Sequence, residues 1–333
     1  MANWVHIRVL VAMWLVAVSA QAATLTPLVC PDKSTLTGHP PPEGFEQGCD
    51  GKTKAGQTIR QGPYRVWHPT GELASEGSYK LNQKDGLWRT WYDNGRLESE
   101  AEYQKGVLHG PYKAWHRMGA QESSGAYREG KRDGAWTFSY PSGRVKESGA
   151  YKVGLRQGVW EFWDDRGILL AKREYDADLV DGDAAEYHPN GKKKAEGANL
   201  AGQPDGPWTY WYDDSSLQSK IEYRNGRSQG KEIRYMRGGK LKEYEGEWSG
   251  GQRSGQWKFW YDSGQIESEA QYIDGKKNGP YKNWDDQGHL LSEGSFVDDK
   301  RHGLWKFYRL DGGVSRTVTY EHGDETIGAI EGP

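Results

Sequence analysis

Polar and apolar positions alternate with a period of two over short segments that recur along most of the chain. In the segment 97–104, every second residue is apolar or small and the residues between them are acidic or carry an amide. Such alternation predicts a half-buried β-strand. An aromatic run at 88–92 precedes it and favours a second strand, and Asp93-Asn94-Gly95 between the two is typical of a hairpin turn. The pattern therefore predicts a β-hairpin, and no part of 62–325 sustains the apolar period of a helix.

The hairpin pattern repeats because a glycine recurs every 24 residues. Nine of the ten intervals are 24 residues long, and only the interval from Gly230 to Gly255 is 25. A fixed period in this range indicates one supersecondary unit stacked on copies of itself. We number the units 1 to 11 and count positions within each unit from its glycine as position 0. The eleven glycines are Gly62, Gly86, Gly110, Gly134, Gly158, Gly182, Gly206, Gly230, Gly255, Gly279 and Gly303.

Aromatic and turn residues hold fixed positions in the units. Position 2 is aromatic in nine units, position 5 in ten and position 17 in nine, while position 9 is glycine in ten. A single hairpin is marginal in water, so the hairpins are expected to pair edge to edge and to be stabilised by neighbour contacts. Rings at matching positions would form cross-strand ladders, and strand twist would coil the ribbon. The sequence predicts an all-β fold, an elongated, twisted single antiparallel sheet of about eleven tandem β-hairpin repeats.

The first 22 residues have the pattern of a secretory signal peptide. Arg8 supplies a positive charge, 9–18 is apolar, and Ala20-Gln21-Ala22 is a typical cleavage signal. A retained membrane anchor is the alternative, but the apolar run is short for a bilayer span. We therefore expect a secreted protein, periplasmic or extracellular after cleavage near Ala22.

The segment 23–61 is interpreted as an N-terminal cap on the first hairpin, whose open edge would otherwise invite aggregation. The repeat array is assigned to 62–326 and a tail to 327–333. Both cysteines of the chain, Cys30 and Cys49, lie in the cap. In an oxidising compartment they are expected to form a disulfide; two free thiols are the alternative.

Composition narrows the classes of partner. The net charge is −3 and the chain contains 16 Trp and 20 Tyr, which supply the apolar bulk. A nucleic-acid-binding domain would carry a basic stripe, and a pI near 6.3 gives no support for one. No nucleic-acid partner is expected.

No residue pattern indicates catalysis. His68, His116 and His188 all occupy position 6, so the repeat explains them. The segment 176–183 is rich in aspartate, but a calcium loop needs an acid at its twelfth position, where this chain has Tyr187. Catalytic, cofactor-binding and metal-binding residues are all expected to be absent, and the protein is predicted not to be an enzyme. The Asp pairs that enter hairpin turns are attributed to turn solvation: Asp164-Asp165, Asp213-Asp214 and Asp285-Asp286.

Units 6 to 8, residues 182–254, break the pattern together. Ala184 and Glu232 replace the ring at position 2, Asn199 the ring at position 17, and Ser215 the turn glycine. Unit 8 also has one extra residue. The breaks have two interpretations, neutral drift with a β-bulge, or a kink that forms a partner site.

The units resemble the bacterial variant of the MORN repeat, the membrane occupation and recognition nexus. The resemblance is carried by the glycine, the two aromatic positions, the turn glycine with its leucine, and the acidic stretch that ends in tyrosine and glycine. It extends over 62–325 and is closest at 86–106, 134–154 and 255–275. It implies an elongated array of hairpins that acts in protein or membrane-surface association without catalysis. Some bacterial members are classed as antitoxins of toxin–antitoxin pairs.

These observations lead to one main functional hypothesis and its alternatives. The main hypothesis is a secreted, non-enzymatic repeat scaffold that binds protein. The alternatives are a repeat protein that binds cell-wall glycan through aromatic faces, and an antitoxin-like partner of an exported toxin. Binding to a membrane surface has only the lysine run 192–194 in its favour. The candidate interaction surface comprises Trp67, Trp91, Trp115, Trp163, Trp211, Trp260, Trp284, Lys192, Lys193 and Lys194.

Overall fold

A computed structural model describes residues 25–331 and confirms the all-β array as one open antiparallel sheet. The predicted signal peptide, 1–22, and its cleavage site near Ala22 lie outside the described residues. The 26 strands are β1 (Ser34–His39), β2 (Glu46–Lys52), β3 (Thr58–Trp67), β4 (Leu73–Lys80), β5 (Gln83–Trp91), β6 (Leu97–Gln104), β7 (Val107–Trp115), β8 (Gln121–Arg128), β9 (Lys131–Ser139), β10 (Val145–Lys152), β11 (Leu155–Trp163), β12 (Leu169–Asp176), β13 (Leu179–Tyr187), β14 (Lys193–Leu200), β15 (Gln203–Pro204), β16 (Gly206–Trp211), β17 (Leu217–Arg224), β18 (Arg227–Tyr235), β19 (Lys242–Ser249), β20 (Gln252–Trp260), β21 (Ile266–Ile273), β22 (Lys276–Trp284), β23 (Leu290–Val297), β24 (Lys300–Tyr308), β25 (Val314–Glu321) and β26 (Asp324–Glu331).

Each strand pairs antiparallel with its neighbour in sequence. The one interruption is at Asp205, which divides β15 from β16, and β14 pairs with both of these strands. Between residues 25 and 331 we find no helix, and so none that is long and apolar enough to cross a bilayer. The strand count exceeds the 22 strands of eleven hairpins because the cap adds β1 and β2, the C-terminal end adds β26, and the break at Asp205 divides one strand into β15 and β16.

The hairpin turn of unit 2 shows why the units fold locally as they do. Gly95 has φ +76°, a conformation that glycine adopts without strain, and the N–H of Tyr92 donates to the carbonyl of Arg96 at 2.9 Å. The pairing shifts by one residue between Thr90 and Trp91. The corresponding shift occurs in every unit, and such irregularities increase the local twist of a sheet.

Units 7 and 8 each have one irregularity that lies in the hairpin turn and not in a strand. Ser215 adopts φ +78°, the left-handed conformation of the glycine it replaces, at a cost of about 1 kcal/mol. The extra residue of unit 8 lies in the turn, where the N–H of Met236 donates to the carbonyl of Leu241. The register shift beside Trp248, between Glu245 and Glu247, is the one that other units also have at this point, so the extra residue is not a bulge in this strand. A solvent-exposed turn with two glycines, Gly238 and Gly239, accepts an added residue without disturbing the strand pairing.

Both ends of the array extend the sheet. Strand β2 pairs with β3 and covers the edge of unit 1, and β1 pairs with β2. The disulfide between Cys30 and Cys49 is present, as predicted, with a Cα–Cα distance of 5.4 Å. At the other end, β26 continues to Glu331, so the sheet extends into the segment 327–333 that the sequence assigned to a tail.

Candidate interaction surface

One face of the sheet, which we call the aromatic face, is built from the rings at positions 2, 4 and 17. Trp160 is 0% exposed. Its ring lies edge-on to Tyr151, with centroids 4.9 Å apart, and Arg156 covers it at 4.4 Å. The indole N–H donates to the carbonyl of Ala150 at 3.0 Å. The same arrangement of ring and cation surrounds Trp88, Trp136, Trp257 and Trp305.

On the aromatic face, the size of the residue at position 15 of one unit matches the residue at position 2 of the next unit, a relation that we did not predict from the sequence. A Cβ atom at Gly149, position 15 of unit 4, would lie 2.3 Å from the ring of Trp160 in unit 5. Only glycine therefore fits under that ring. The signal was present in the repeat, because position 15 of one unit varies with position 2 of the next. Where position 2 is alanine or glutamate, position 15 of the preceding unit holds a larger residue (Arg173 before Ala184, Ile221 before Glu232). Where position 2 is tyrosine, position 15 of the preceding unit is alanine (Ala101 before Tyr112, Ala270 before Tyr281). Where position 2 is tryptophan, position 15 of the preceding unit is glycine: Gly77, Gly125, Gly149, Gly197, Gly246 and Gly294 come before Trp88, Trp136, Trp160, Trp208, Trp257 and Trp305.

The aromatic face changes character in units 6 to 8. Ala184 and Ile221 are buried in a cluster with Trp208, where other units place more rings. Glu232 is 5% exposed, and its carboxylate accepts hydrogen bonds from Trp248 Nε1 at 2.8 Å and from the Tyr244 hydroxyl at 3.3 Å. Burial, followed by the charge of Glu232, raises the pKa of Tyr244 to about 12. The irregularity is therefore mainly one of packing, since the strand pairing continues through it apart from the break at Asp205.

The opposite face, which we call the charged face, carries a row of alternating charges at positions 3 and 14. Arg65 pairs with Glu76 at 3.3 Å, and Arg89 lies 3.6 Å from Glu76 and 2.8 Å from Glu100. The row runs along the array, because position 14 of each unit is flanked by position 3 of the same unit and of the next.

The row of charges is broken in units 3 and 4, where Ser124, Thr137 and Ser148 occupy its positions. It is complete again from unit 9, where Lys258 pairs with Glu269 at 3.0 Å. Glu293 accepts a hydrogen bond from the Tyr308 hydroxyl at 2.7 Å and pairs with Lys282 at 3.3 Å and Lys306 at 3.5 Å. The Tyr308 hydroxyl, together with these two ammonium groups, lowers the pKa of Glu293 below its ordinary value. In units 6 to 8 the row is interrupted, since position 3 is Ala185, Thr209 and Ile233.

The lysine run that the sequence singled out is paired within the sheet. Lys193 contacts Glu196, and Lys194 lies 3.3 Å from Glu186. The ammonium of Lys192 donates to the carbonyl of Asp214 at 3.2 Å. The three lysines thus contact residues of their own hairpin and of its neighbours, and they do not form a separate basic patch.

The position-5 tryptophans lie on the charged face, beside the row of charges. Lys193, which contacts Glu196 of that row, also places its ammonium 5.7 Å from the ring centre of Trp211. Trp67 is buried, and the other predicted members are half-buried: Trp91, Trp115, Trp163, Trp211, Trp260 and Trp284. They line one side of the charged face at regular intervals.

The histidines at position 6 join neighbouring units. The Nε2 atom of each lies within hydrogen-bonding distance of a carbonyl in the next unit: His68 with Trp91 at 2.8 Å, His116 with Ser139 at 2.9 Å, and His188 with Trp211 at 2.9 Å. Across the part of the chain that the structure describes, no group of His, Cys, Asp or Glu is arranged to hold a metal ion.

The charged face of unit 1 is covered by the chain's own N-terminal segment, 25–31. Arg65, which is 8% exposed, donates from Nη1 to the carbonyl of Thr26 at 2.7 Å. Pro31 lies over Gly62, so closely that a Cβ atom there would be 2.6 Å from the proline ring. The disulfide at Cys30 fixes this segment to β2. An extended polypeptide segment therefore binds on this face.

A hollow of about 510 Å³ opens on the charged face at unit 6. Its floor includes Ala185 and Ala198, at positions 3 and 16, and no other unit has alanine at both positions. Val159 and Pro207 contribute apolar surface at its rim. The charged residues that line it are Lys172, Arg173, Asp183 and Glu196.

Comparison with known families agrees with this geometry. A sequence model described as "MORN repeat variant" matches 60–81, 84–105, 204–225, 253–274 and 277–298, which lie in units 1, 2, 7, 9 and 10. These five segments match the repeat that the sequence resembles. The unmatched units share the turn, the register shift and the strand pairing of the matched ones.

Comparison with solved structures adds no functional information. Two chains are similar to this one, one from the crystal structure of TcdB2-TccC3 and one from the same complex without its hypervariable C-terminal region. The sequence identity is 10% in both cases, the TM-scores are 0.19 and 0.18, and 85% and 83% of this chain are covered. This chain spans only 17% and 16% of those chains, and TM-scores this low carry no argument. No curated protein matches the sequence.

Proposed function

We propose that the protein is a secreted, non-enzymatic repeat scaffold that binds a protein partner on its charged face. The observation that carries the proposal is the hydrogen bond from Arg65 to the main-chain carbonyl of Thr26. It supports a role in binding polypeptide, because this face already holds an extended segment at unit 1. The rings of the aromatic face pack against one another and leave the charged face as the surface for a partner.

The charge pattern favours a polypeptide over an anionic membrane surface. A membrane surface attracts clustered Lys and Arg, whereas the charged face alternates in sign in units 1 and 2 and again in units 9 to 11. Main-chain amides and carbonyls require acceptors and donors side by side, which alternating carboxylates and cations provide. The internal pairing of Lys192, Lys193 and Lys194 removes the one feature that favoured lipid.

Binding is tested by reversing one charge at a time along the charged face. The full mature chain would be cross-linked in the exported fraction of its source cells, and the captured protein purified for titration. We expect binding to be weakened about tenfold by at least one of three variants, Arg89→Glu, Lys172→Glu and Lys282→Glu. The new carboxylate would repel the neighbouring carboxylates of the row and the acceptor groups of the partner that the cation had bound. Lys240→Glu, in an exposed turn, is the control with the same change of charge. Equal affinity for all four variants would contradict the proposal.

Export is proposed on the pattern of residues 1–22. N-terminal sequencing of the protein recovered outside the cytoplasm should begin at Ala23. A chain that retains residues 1–22, or that stays in the cytoplasm, would contradict the secreted part of the proposal, and an intracellular partner would then have to be sought.

A glycan ligand is the second candidate, because half-buried tryptophans recur along the charged face. Aromatic surfaces of this kind suit stacking on sugar rings. Purified cell-wall glycan should then bind the protein, and Trp284→Ala should weaken that binding while Trp305→Phe, on the aromatic face, leaves it unchanged. Absence of glycan binding alongside a captured protein would eliminate this candidate.

A further inference from the structure

The hollow of unit 6 overlaps, at position 3, with the surface that the segment 25–31 covers in unit 1. In unit 1 that segment contacts position 0 through Pro31 and position 3 through Arg65. In unit 6 the hollow is lined by positions 1 to 3, residues 183–185, and by positions 14 to 16, residues 196–198. The repeat thus presents the surface at position 3 twice, covered at unit 1 and open at unit 6.

The side chains that open the hollow are particular to unit 6. Position 3 is Arg65 or Arg89 in the first two units, whereas it is Ala185 here, and position 16 is Ala198. Val159, which is 58% exposed, and Pro207 leave an apolar rim around this small floor. A compact apolar side chain would bury this surface and gain the corresponding transfer free energy.

The charges around the hollow complement an extended main chain. Lys172 lies on β12, on one side of the floor strand β13, and Glu196 lies on β14, on the other side. The neighbouring Arg173 turns its guanidinium to the aromatic face, where it pairs with Glu186. The ammonium of Lys172 can donate to carbonyls, as Arg65 does to Thr26 in unit 1, and the carboxylate of Glu196 can accept from main-chain amides. The arrangement suits an uncharged polypeptide segment, because its main chain carries both carbonyl acceptors and amide donors.

We infer that the hollow of unit 6 is the docking site for an extended segment of a partner protein, with a proline or a branched aliphatic side chain between Ala185 and Ala198. The inference rests on the proposed function and names the part of the charged face that carries it. The chain's own segment 25–31 is not the occupant, because the disulfide holds it at unit 1, about 50 Å away at the usual spacing of ten strands.

Peptide selection tests the site without knowledge of the partner. The immobilised full chain, with its disulfide intact, would be exposed to a displayed library of random linear peptides, with counter-selection against Ala185→Arg. That variant places in unit 6 the residue found at the same position in units 1 and 2, so the sheet accommodates it. Ala198→Glu is the second variant, since units 2, 5 and 7 have glutamate at position 16. Ala126→Glu, the same change at the same position of unit 3, is the matched control.

Enriched peptides should contain proline or branched aliphatic residues and should bind the wild-type chain. Ala185→Arg and Ala198→Glu should each weaken that binding about tenfold or more, because they fill a central pocket, whereas Ala126→Glu should leave it unchanged. Failure to enrich any peptide, or equal binding to the two hollow variants and the wild type, would overturn the inference. A captured partner that responds to reversals on the charged face but not to Ala185→Arg would overturn the hollow alone and leave the proposed function standing.

Discussion

Units 4 and 5 and units 6 to 8 share their strand pairing, apart from the break at Asp205, but differ in their cores. In units 4 and 5, Trp136 and Trp160 are packed among the rings of neighbouring strands and covered by arginines. In units 6 to 8, the same positions hold Ala184, Trp208 and Glu232, and the buried cluster is largely aliphatic. The register shift at the end of the first strand of each unit is nevertheless identical.

The comparison teaches that pairing and packing are separately specified in this array. Turn residues and backbone hydrogen bonds set the pairing, whereas the rings of positions 2 and 17 set the packing. Because each unit contacts only its neighbours, loss of a ring lowers stability locally and leaves distant units unaffected. The irregular units are thus free to differ on the charged face, where the hollow lies.

The largest expected difference between the two regions is the response to removal of a position-2 ring. Trp160→Ala should cost about 3–5 kcal/mol in free energy of unfolding. Trp208→Ala should cost about 1–2 kcal/mol less, since Asn199 replaces the ring that precedes it and each aromatic pair contributes about 0.5–1.5 kcal/mol. Denaturant unfolding combined with hydrogen exchange measures both. Equal costs would mean that the packing of the two regions does not differ energetically.

A smaller effect is expected from the size relation across the aromatic face. Gly149→Ala should destabilise unit 5 by about 1–3 kcal/mol, because the added methyl would overlap the ring of Trp160. Adding Trp160→Tyr should recover part of this loss, since alanine and tyrosine are the pair found at Ala101 and Tyr112. A double-mutant cycle gives the coupling free energy. Strictly additive effects would show that the relation has no energetic basis.

Restoration of a ring in the irregular region should have an effect of about 1 kcal/mol. Amides in 182–254 are expected to exchange faster with solvent than those in 86–158, because local stability follows packing. Asn199→Tyr should slow exchange in units 6 and 7 by returning the ring of position 17. Lys240→Tyr, in an exposed turn of unit 8, is the control. Uniform protection along the wild-type array would show that the irregular units are as stable as the others.

The smallest effect concerns the charged face. The pKa of Glu293 is lowered in the folded protein, so its contribution to stability is present above the unfolded pKa and is lost as the pH falls through the folded pKa. Glu293→Gln should therefore cost about 0.5–1 kcal/mol at neutral pH and nothing in acid. Glu196→Gln should cost less, since the Glu196 side chain is 45% exposed and that of Glu293 only 26%. Thermal unfolding of both variants at neutral and acidic pH measures these costs. A cost that does not change with pH would contradict the role of the ionised carboxylate.

Much of the fold could be predicted because its determinants are local and repeated. Turn residues such as Asp93-Asn94-Gly95 and the alternation of 97–104 each specify a hairpin without long-range information. The disulfide between Cys30 and Cys49 followed from there being only two cysteines. The location of the extra residue of unit 8 could not be predicted in this way, because a turn and a bulge leave the same length change in the sequence.

The candidate site was predicted only in part. The sequence singled out the position-5 tryptophans and Lys192–Lys194, and the structure places the tryptophans in one line beside the charges but pairs the lysines internally. The hollow at Ala185 and Ala198 was not anticipated, since alanine carries no chemical signal of its own. The two alanines form a candidate site only because residues from neighbouring strands surround them.

By itself, the sequence determined the repeat length, the hairpin unit and the single sheet, because periodic turns and alternation act over a few residues. The tertiary structure alone decided which side chains share a face, that Gly149 lies under Trp160, and that the segment 25–31 binds at Arg65. These relations join residues from different strands, and their distances depend on the register shifts and twist that accumulate along the sheet. A contact across strands is a property of that geometry, which no single segment of the chain contains.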